Sequence, residues 1–457
     1  MRKLISIFIL LLMITMMSSA QVCAEDCKEV SGEILHKEGA IKELKIGEYE
    51  KVDFNIFTKD MWLSFQPSDT GSYIINIYGA LFQNVELYDS TKLNMIENSK
   101  EKNGTIKFAR TFLADSKYYL HITIDSKLIH FGRFYLFIKF LEKPNDELFS
   151  EQWGLMNQEN GLDINILPAW ETVKNCCNNP IRIGVTDTGV FEQHIDLKNK
   201  INRELSFNFV HNSNELYPTD EKNSKLAAKG GHGTAVTGII GAENGNNVGI
   251  SGVCLNASLV HMKALGKKID NVPYSGSVAA FVKAVEYAQN NQVKIINCSF
   301  GGSSPSEAEL EAMIKADDIL FIIAAGNNSN NLEELPEYPA CYYLKNCLVV
   351  SSMNQQGELS KFSNYGGPCD IVAPGENIMT TFPEDVFDTS SGTSMSAPFV
   401  SGVVGIILST YPNLSPEQVI SSIVSHDSVT ILGNLKGKVR SSGCLNAYKA
   451  IKMAQKE

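Results

Sequence analysis

Ile181-Arg182-Ile183-Gly184-Val185-Thr186-Asp187-Thr188-Gly189 is a short apolar run that ends on a carboxylate and then on a Thr-Gly breaker. Ile181, Ile183 and Val185 are β-branched, and a run of this length closed by a turn signal reads as a buried parallel strand. Open α/β sheets bind their ligands at the carboxyl ends of such strands, so Asp187 is a candidate site residue. An Asp that closes a strand is also an ordinary turn former.

Outward from this run, the apolar pattern predicts strands over 258–263, 294–299, 319–325 and 347–352, with helices over 232–242, 276–290, 306–316, 394–410 and 415–425. The strands are uniformly apolar, as burial on both faces requires. Their alternation with helices predicts an α/β fold, a parallel sheet with helices on both faces.

Gly392-Thr393-Ser394-Met395-Ser396-Ala397-Pro398 runs into the apolar stretch Phe399 to Leu408 and places a hydroxyl where a loop becomes a helix. The unpaired N–H groups and partial positive charge of a helix start favour an oxyanion forming beside Ser394. Gly392 would let a substrate carbonyl come close. Ser and Thr are also good helix caps, so the segment by itself permits a reading without chemistry.

A serine nucleophile needs a base, and the base needs a carboxylate to orient it. Gly231-His232-Gly233-Thr234 opens an apolar segment from Ala235 to Ala242, which sets an imidazole at the start of a helix. A His beside Gly is commonly a loop residue. Asp187, His232 and Ser394 together, in that order, are far harder to read as three unrelated turns.

Val185-Thr186-Asp187-Thr188-Gly189-Val190, Gly231-His232-Gly233-Thr234 and Gly392 to Pro398 resemble the three signature motifs of subtilisin-like serine peptidases. The order Asp, His, Ser is the one subtilisin uses. The resemblance runs from roughly Asn145 to the C-terminus, about two thirds of the chain. It implies the subtilisin-like α/β fold and hydrolysis of peptide bonds through an acyl-enzyme on Ser394. Asn327, which ends the run Phe321-Ile322-Ile323-Ala324-Ala325-Gly326-Asn327, stands where the family carries its side-chain oxyanion donor.

Ser299-Phe300-Gly301-Gly302 resembles one wall of the family's substrate cleft, and Leu265 to Ser275 matches the opposite edge less closely. By the same resemblance Glu337, just before Tyr338-Pro339-Ala340, lies at the floor of the primary specificity pocket. A carboxylate there would prefer Lys or Arg before the cut. The other reading sends Glu337 into solvent with Glu333 and Glu334.

No HExxH and no pair of CxxC motifs occurs, so zinc catalysis is not expected, and the mechanism calls for no catalytic cofactor. Asp196 and Asn246 resemble two ligands of the family's structural calcium site, with Gln152 a third. Carboxylate, amide and carbonyl oxygens suit Ca²⁺. The Asn/Gly-rich segment Asn244 to Gly249 is equally an ordinary loop.

Met1-Arg2-Lys3, the apolar run Leu4 to Met17 and Ser18-Ser19-Ala20 form the basic, apolar and small-residue sections of a secretory signal over residues 1–24. The run is short for a membrane span, and no later stretch reaches that length, which predicts a secreted protein without a stable membrane anchor. The net charge of −11 argues against nucleic acid and anionic membrane as partners. A polypeptide substrate is the expected partner and a monomer the expected state. Among the ten cysteines, Cys341 and Cys347 are the best candidate disulfide pair.

Residues 25–141 differ in texture. The runs at 52–56, 72–78, 118–124 and 133–138 alternate or cluster β-branched and aromatic residues between polar turns, which predicts an antiparallel β-sandwich. It loosely resembles sandwich modules that flank secreted peptidases. No pattern of the small propeptide usual in the subtilisin-like family is present there. The module is therefore either retained as an accessory domain or removed near the linker, residues 142–150, ahead of a peptidase domain over 151–457.

The leading expectation is a secreted serine endopeptidase. A dedicated precursor or leader-peptide processing protease is the alternative within that chemistry, and a catalytically silent polypeptide-binding protein the alternative outside it.

Overall fold

The computed structural model describes residues 32–34, 41–55, 60–78, 82–99, 105–124, 131–176, 179–217, 231–269 and 272–457. The leader segment 1–24 and the thiols of Cys23, Cys27 and Cys177 lie outside the described residues. The chain divides into two units, Met1–Glu142 and Lys143–Glu457.

In the first unit, two five-stranded sheets share one core. One sheet has the order Gly32–Ile34, Tyr49–Asn55, Phe131–Phe140, Gly71–Tyr78, Thr105–Phe112; the other runs Ile41–Glu43, Asp60–Phe65, Tyr118–Ile124, Phe82–Tyr88, Met95–Ser99. The side-chain period of two explains the sandwich. Tyr73, Ile75 and Ile77 point inward from one strand, Tyr118, Leu120 and Ile122 from another, and Phe134, Leu136 and Ile138 from a third, all in the same cluster. Between these, Tyr135 points outward and is 37% exposed. The sandwich is antiparallel apart from the parallel pairings of Gly32–Ile34 with Tyr49–Asn55 and of Ile41–Glu43 with Asp60–Phe65.

The second unit is built on a nine-stranded sheet. Its central strands are β1 (Ile181–Asp187), β2 (Ala257–Lys263), β3 (Ile295–Cys298), β4 (Leu320–Ala324), β5 (Cys347–Met353) and β6 (Ile371–Pro374), parallel and in spatial order β2-β1-β3-β4-β5-β6. Every residue of β3, β4, β5 and β6 is buried, and apart from Asn297, Ser351 and Ser352 these runs are apolar. The strand order reverses direction about β1, and the crevice outside the carboxyl ends of strands at such a point is the binding position in open α/β sheets. Thr186 pairs with Cys298 in register, so Asp187 and Ser299 emerge side by side at that edge.

Four helices carry the argument: α1 (His232–Gly241), α2 (Val278–Asn290), α3 (Glu307–Lys315) and α4 (Thr393–Thr410). Helices α2 and α3 start on serine caps, the side chains of Ser277 and Ser306 accepting from Ala280 N–H and Glu309 N–H. Helices α1 and α4 start on Gly231 and Gly392 with no side-chain cap. Their first turns are met from neighbouring segments instead, Thr393 N–H donating to Asn327 Oδ1 and Gly233 N–H to Thr188 Oγ, and these are the helices that begin at His232 and next to Ser394. Among the described residues α4 is the one helix long and apolar enough to cross a membrane, and 94% of that stretch is buried in the fold. It is a core helix.

The expected Cys341–Cys347 bond is not formed. Cys341 sits in the 3-10 turn Ala340–Tyr342 with its thiol towards the Leu332 carbonyl, whereas Cys347 opens β5, and both are free and buried. Burial raises both thiol pKa values.

Candidate active site

Asp187 is the last residue of β1 and is completely buried. Its Oδ1 accepts from Thr188 N–H at 2.7 Å and lies 2.8 Å from His232 Nδ1. That contact fixes the imidazole with Nδ1 towards the carboxylate and Nε2 turned away from it. Side-chain exposure is 0% at Asp187 and 26% at His232, so the imidazole is the member of the pair that meets solvent.

Ser394 occupies the first turn of α4 and is 9% exposed. Two features of the sequence shape its surroundings. Gly392 has φ +152°, in a region that side chains rarely enter, and a Cβ there would lie 3.0 Å from Ser394 Oγ and 3.4 Å from Asn327 Nδ2. Pro398 has no N–H to donate to the carbonyl of Ser394, four residues earlier. Ser299 Oγ–H donates to that carbonyl instead, at 2.9 Å, while Asn297 Nδ2 donates to Ser299 Oγ at 2.8 Å and Ser401 Oγ–H to Asn297 Oδ1 at 2.8 Å. The first turn of α4 is thereby tied to the carboxyl end of β3, next to Asp187. Helices α1 and α4 also pack on each other.

Asn327 follows β4. Its Oδ1 accepts from Thr393 N–H at 2.8 Å and from Thr393 Oγ–H at 3.0 Å, and Thr393 Oγ accepts from Gly326 N–H at 3.0 Å. With the oxygen committed to Thr393, the amide directs its Nδ2 donors at the space beside Gly392. Thr393 was not singled out from sequence; its place at the first position of α4, beside an Asn-bearing loop, carried no local signal.

Of the expected cleft wall, Ser299 turns its side chain inward under Ser394, and Phe300 packs its ring on Phe281 with centroids 5.4 Å apart. Gly301 and Gly302 are exposed, and Gly302 exchanges two backbone hydrogen bonds with Tyr338, at 2.9 and 2.7 Å. The opposite edge forms the hairpin Leu265–Ile269 with Val272–Gly276.

Glu337 is half-buried rather than directed outward. Its Oε1 accepts from Asn328 Nδ2 at 2.6 Å and Asn364 Nδ2 at 2.9 Å. Oε2 lies over Gly326 and towards Gly301, where added Cβ atoms would meet it at 2.3 and 3.8 Å. The carboxylate therefore sits between the segment after β3 and the segment after β4, next to Asn327. Asn328 and Asn364, which hold it there, were missed from sequence.

Asp196 is buried, with Oδ1 accepting from Asn246 Nδ2 at 2.8 Å and Oδ2 from Ile250 N–H at 2.9 Å. Gln152 does not join them, because both ends of its amide are bonded to the Ser251 backbone, at 2.9 and 2.8 Å. Asp146 does: it is buried, accepts from Gly245 and Asn246 N–H at 3.0 Å each and bonds Ser251 Oγ. Burial pushes the Asp196 carboxyl up to about 6, and the Asp146 and Glu243 charges add to the rise. Two buried carboxylates without an ion-pair partner among the described residues fit a hard cation in charge. No cluster of three or more His, Cys, Asp or Glu side chains is present among the described residues, so a cation would draw its other ligands from loop carbonyls and the Asn246 amide.

The family model described as Subtilase family matches residues 178–441. Subtilisin DY of Bacillus licheniformis is 35% identical over 257 residues, 56% of this chain and 85% of that protein. Thermitase of Thermoactinomyces vulgaris is 32% identical over 310 residues, 67% of this chain and 99% of that protein. Among solved structures, a protease of Pseudoalteromonas arctica superposes with a TM-score of 0.54 at 25% identity, covering 68% of this chain and all of that one.

Proposed function

The chain belongs to the subtilase family of serine endopeptidases, and from that premise we propose that Ser394 is its nucleophile, His232 its general base, Asp187 the carboxylate that orients the base, and Asn327 an oxyanion donor. Ser394 Oγ attacks the carbonyl carbon of a polypeptide while His232 Nε2 takes the hydroxyl proton. Asp187 steadies the imidazolium. Asn327 Nδ2 and the Ser394 N–H donate to the oxyanion, His232 then hands its proton to the leaving amine, and water cleaves the acyl-enzyme by the same route. No cofactor takes part in these steps.

The observation that carries this reading is the point beside Gly392, within 3.0 Å of Ser394 Oγ and 3.4 Å of Asn327 Nδ2. A reacting carbonyl needs a nucleophile and an oxyanion donor at one place. We read the chain as exported, so a fluorophosphonate probe is expected to label it in the culture medium, on the peptide that contains Ser394. Unlabelled wild-type protein that binds polypeptides would favour the silent binder.

We further propose a preference for Lys or Arg before the cut. Glu337 supports it, held by Asn328 and Asn364 with Oε2 beside the cleft wall. Glu337→Gln is expected to lower kcat/KM for Lys and Arg substrates by roughly 10- to 100-fold and to leave apolar ones within a few-fold. Equal rates on both classes for the wild type would remove the claim. The same selectivity favours a dedicated processing role over broad digestion.

A calcium ion held by Asp196, Asp146 and Asn246 would stabilise the fold without touching the chemistry. The sign of its pH dependence follows from Asp196. Its folded pKa, about 6, lies above the ordinary 3.8, so the folded state binds the proton more tightly. The cost of ionising Asp196 appears as pH rises from about 4 and is complete above about 6. Calcium should therefore raise Tm over a chelator control by roughly 3–6 °C at pH 7.5 and by much less at pH 4.5. Identical melting curves at pH 7.5 would exclude the ion.

A further inference from the structure

We propose that Ser299 is a positioning residue for Ser394, and that with Asn297 and Ser401 it forms a hydrogen-bonded clamp that sets where the nucleophile's hydroxyl stands. The proposal rests on the reading of Ser394 as the nucleophile, and it takes Ser299 out of the substrate-binding role expected of the cleft-wall segment. It starts from Pro398. An α-helix satisfies the carbonyl of each residue with the N–H four places on, and position 398 has none to give to Ser394. Ser394 is buried, so bulk water does not make good the missing bond.

Ser299 Oγ–H supplies that bond, at 2.9 Å. A serine hydroxyl has a single proton that can point several ways, and the neighbouring side chain decides its direction here. Asn297 Nδ2 donates to Ser299 Oγ at 2.8 Å, which occupies the oxygen as an acceptor and leaves its proton for the Ser394 carbonyl. The other end of the same amide, Oδ1, accepts from Ser401 Oγ–H at 2.8 Å. Turned over, Asn297 would present its oxygen to Ser299 and draw the serine proton away from Ser394. With Ser401 Oγ–H on Oδ1, the amide has a partner at each end in the orientation that serves Ser394.

Asn297 and Ser401 are both completely buried, and Asn297 is anchored in turn. Its backbone carbonyl accepts from Thr186 Oγ–H at 2.9 Å, and Thr186 is the neighbour of Asp187 on β1. The bonds therefore run from the strand that ends in the orienting carboxylate, through β3, to Ser394 and to Ser401, two turns further along α4. The Asn327 side chain fixes the start of α4 through Thr393 N–H, and Ser299 fixes the next residue from the end of β3. A nucleophile has to meet its base and the substrate carbonyl at once, and a displacement of about 1 Å can cost on the order of 10²-fold in rate. The clamp touches Ser394 through its carbonyl, so its loss acts on turnover rather than on substrate binding.

The test compares the wild type with Ser299→Ala and Ser299→Thr on one peptide. Rates are divided by the number of sites that a fluorophosphonate titrates to completion, so that a smaller folded fraction is not read as slower turnover. Ser299→Ala is expected to lose roughly 10- to 100-fold in kcat with KM within about twofold. Ser299→Thr, which keeps an Oγ–H at the same place, should keep most of the rate. A rise in KM with kcat intact would return Ser299 to the substrate wall, and equal losses in the two variants would make it a packing residue; either result overturns the proposal. Should Ser299→Ala not fold, Ser401→Ala replaces it, because it deletes the last bond of the clamp and leaves Ser299 and Ser394 unaltered. A several-fold fall in kcat with KM unchanged is then expected, and an unchanged kcat overturns the proposal. A wild type that takes no label fails the nucleophile reading and the proposal with it, whereas a labelled wild type whose variants turn over at its own rate fails the proposal alone.

Discussion

Ser394→Ala is expected to lower kcat on a peptide substrate by about a million-fold, the size that loss of the nucleophile alone has in subtilisin, and to abolish fluorophosphonate labelling. No other group near the site, among the described residues, can take over the attack. Ser299, the nearest hydroxyl by hydrogen bonding, has its Oγ committed between the Ser394 carbonyl and Asn297. Cys298 lies buried under the sheet edge, and burial raises its thiol pKa far above the neutral range, so a thiolate pathway is closed. The variant should fold and melt close to the wild type, because α4 keeps its buried apolar face and the Thr393 contacts that fix its start. Some catalysis over water should survive through the oxyanion donors and substrate binding. A drop of less than about 100-fold would mean that Ser394 is not the nucleophile.

Asn327→Leu is the second large effect, an expected loss of about 10²–10³ in kcat with KM nearly unchanged, a magnitude measured for the same kind of donor in subtilisin. The division between the two constants is the informative part. The Nδ2 donors point at the space where negative charge develops, so they act on the transition state more than on the bound ground state. The substitution also removes the acceptor for Thr393 N–H and Oγ–H, and part of the loss could come from a loosened helix start. Thr393→Val separates the two contributions. It keeps the Asn327 donors and the Thr393 N–H contact while deleting one hydroxyl, so it should cost no more than about tenfold. A rise in KM with kcat intact in Asn327→Leu would place the amide in ground-state binding instead.

Much of this site was legible before the fold was known because its chemistry is carried by short-range signals. Asp187 closes a run of β-branched residues, His232 and Ser394 each open a helix just after glycine, and those features depend on neighbours in the chain. The strands β1 to β5 were readable for the same reason, since burial on both faces makes most of their residues apolar. The shortest strands were not: Thr430–Ile431 and Gly443–Cys444 are two residues long, too brief for a period. In the sandwich, Asp60–Phe65 and Thr105–Phe112 mix polar and apolar residues and become strands through their cross-sheet neighbours.

The chain order alone determined the chemical inventory of this subtilase: a hydroxyl, an imidazole and a carboxylate, each beside the glycine or strand end that a reactive position needs. Only the tertiary structure decided which neighbours serve them. It set Ser299 under Ser394, whose carbonyl receives no N–H from Pro398, and Thr393 on Asn327 because α4 begins against the end of β4. It also brought Asp146, not Gln152, to the loop that holds Asp196, and set Lys263 opposite Asp187 through the register of two strands more than 70 residues apart. Catalytic groups are marked locally by the strained or capless backbone they require, whereas their supports are chosen by distance in space, which no stretch of sequence contains.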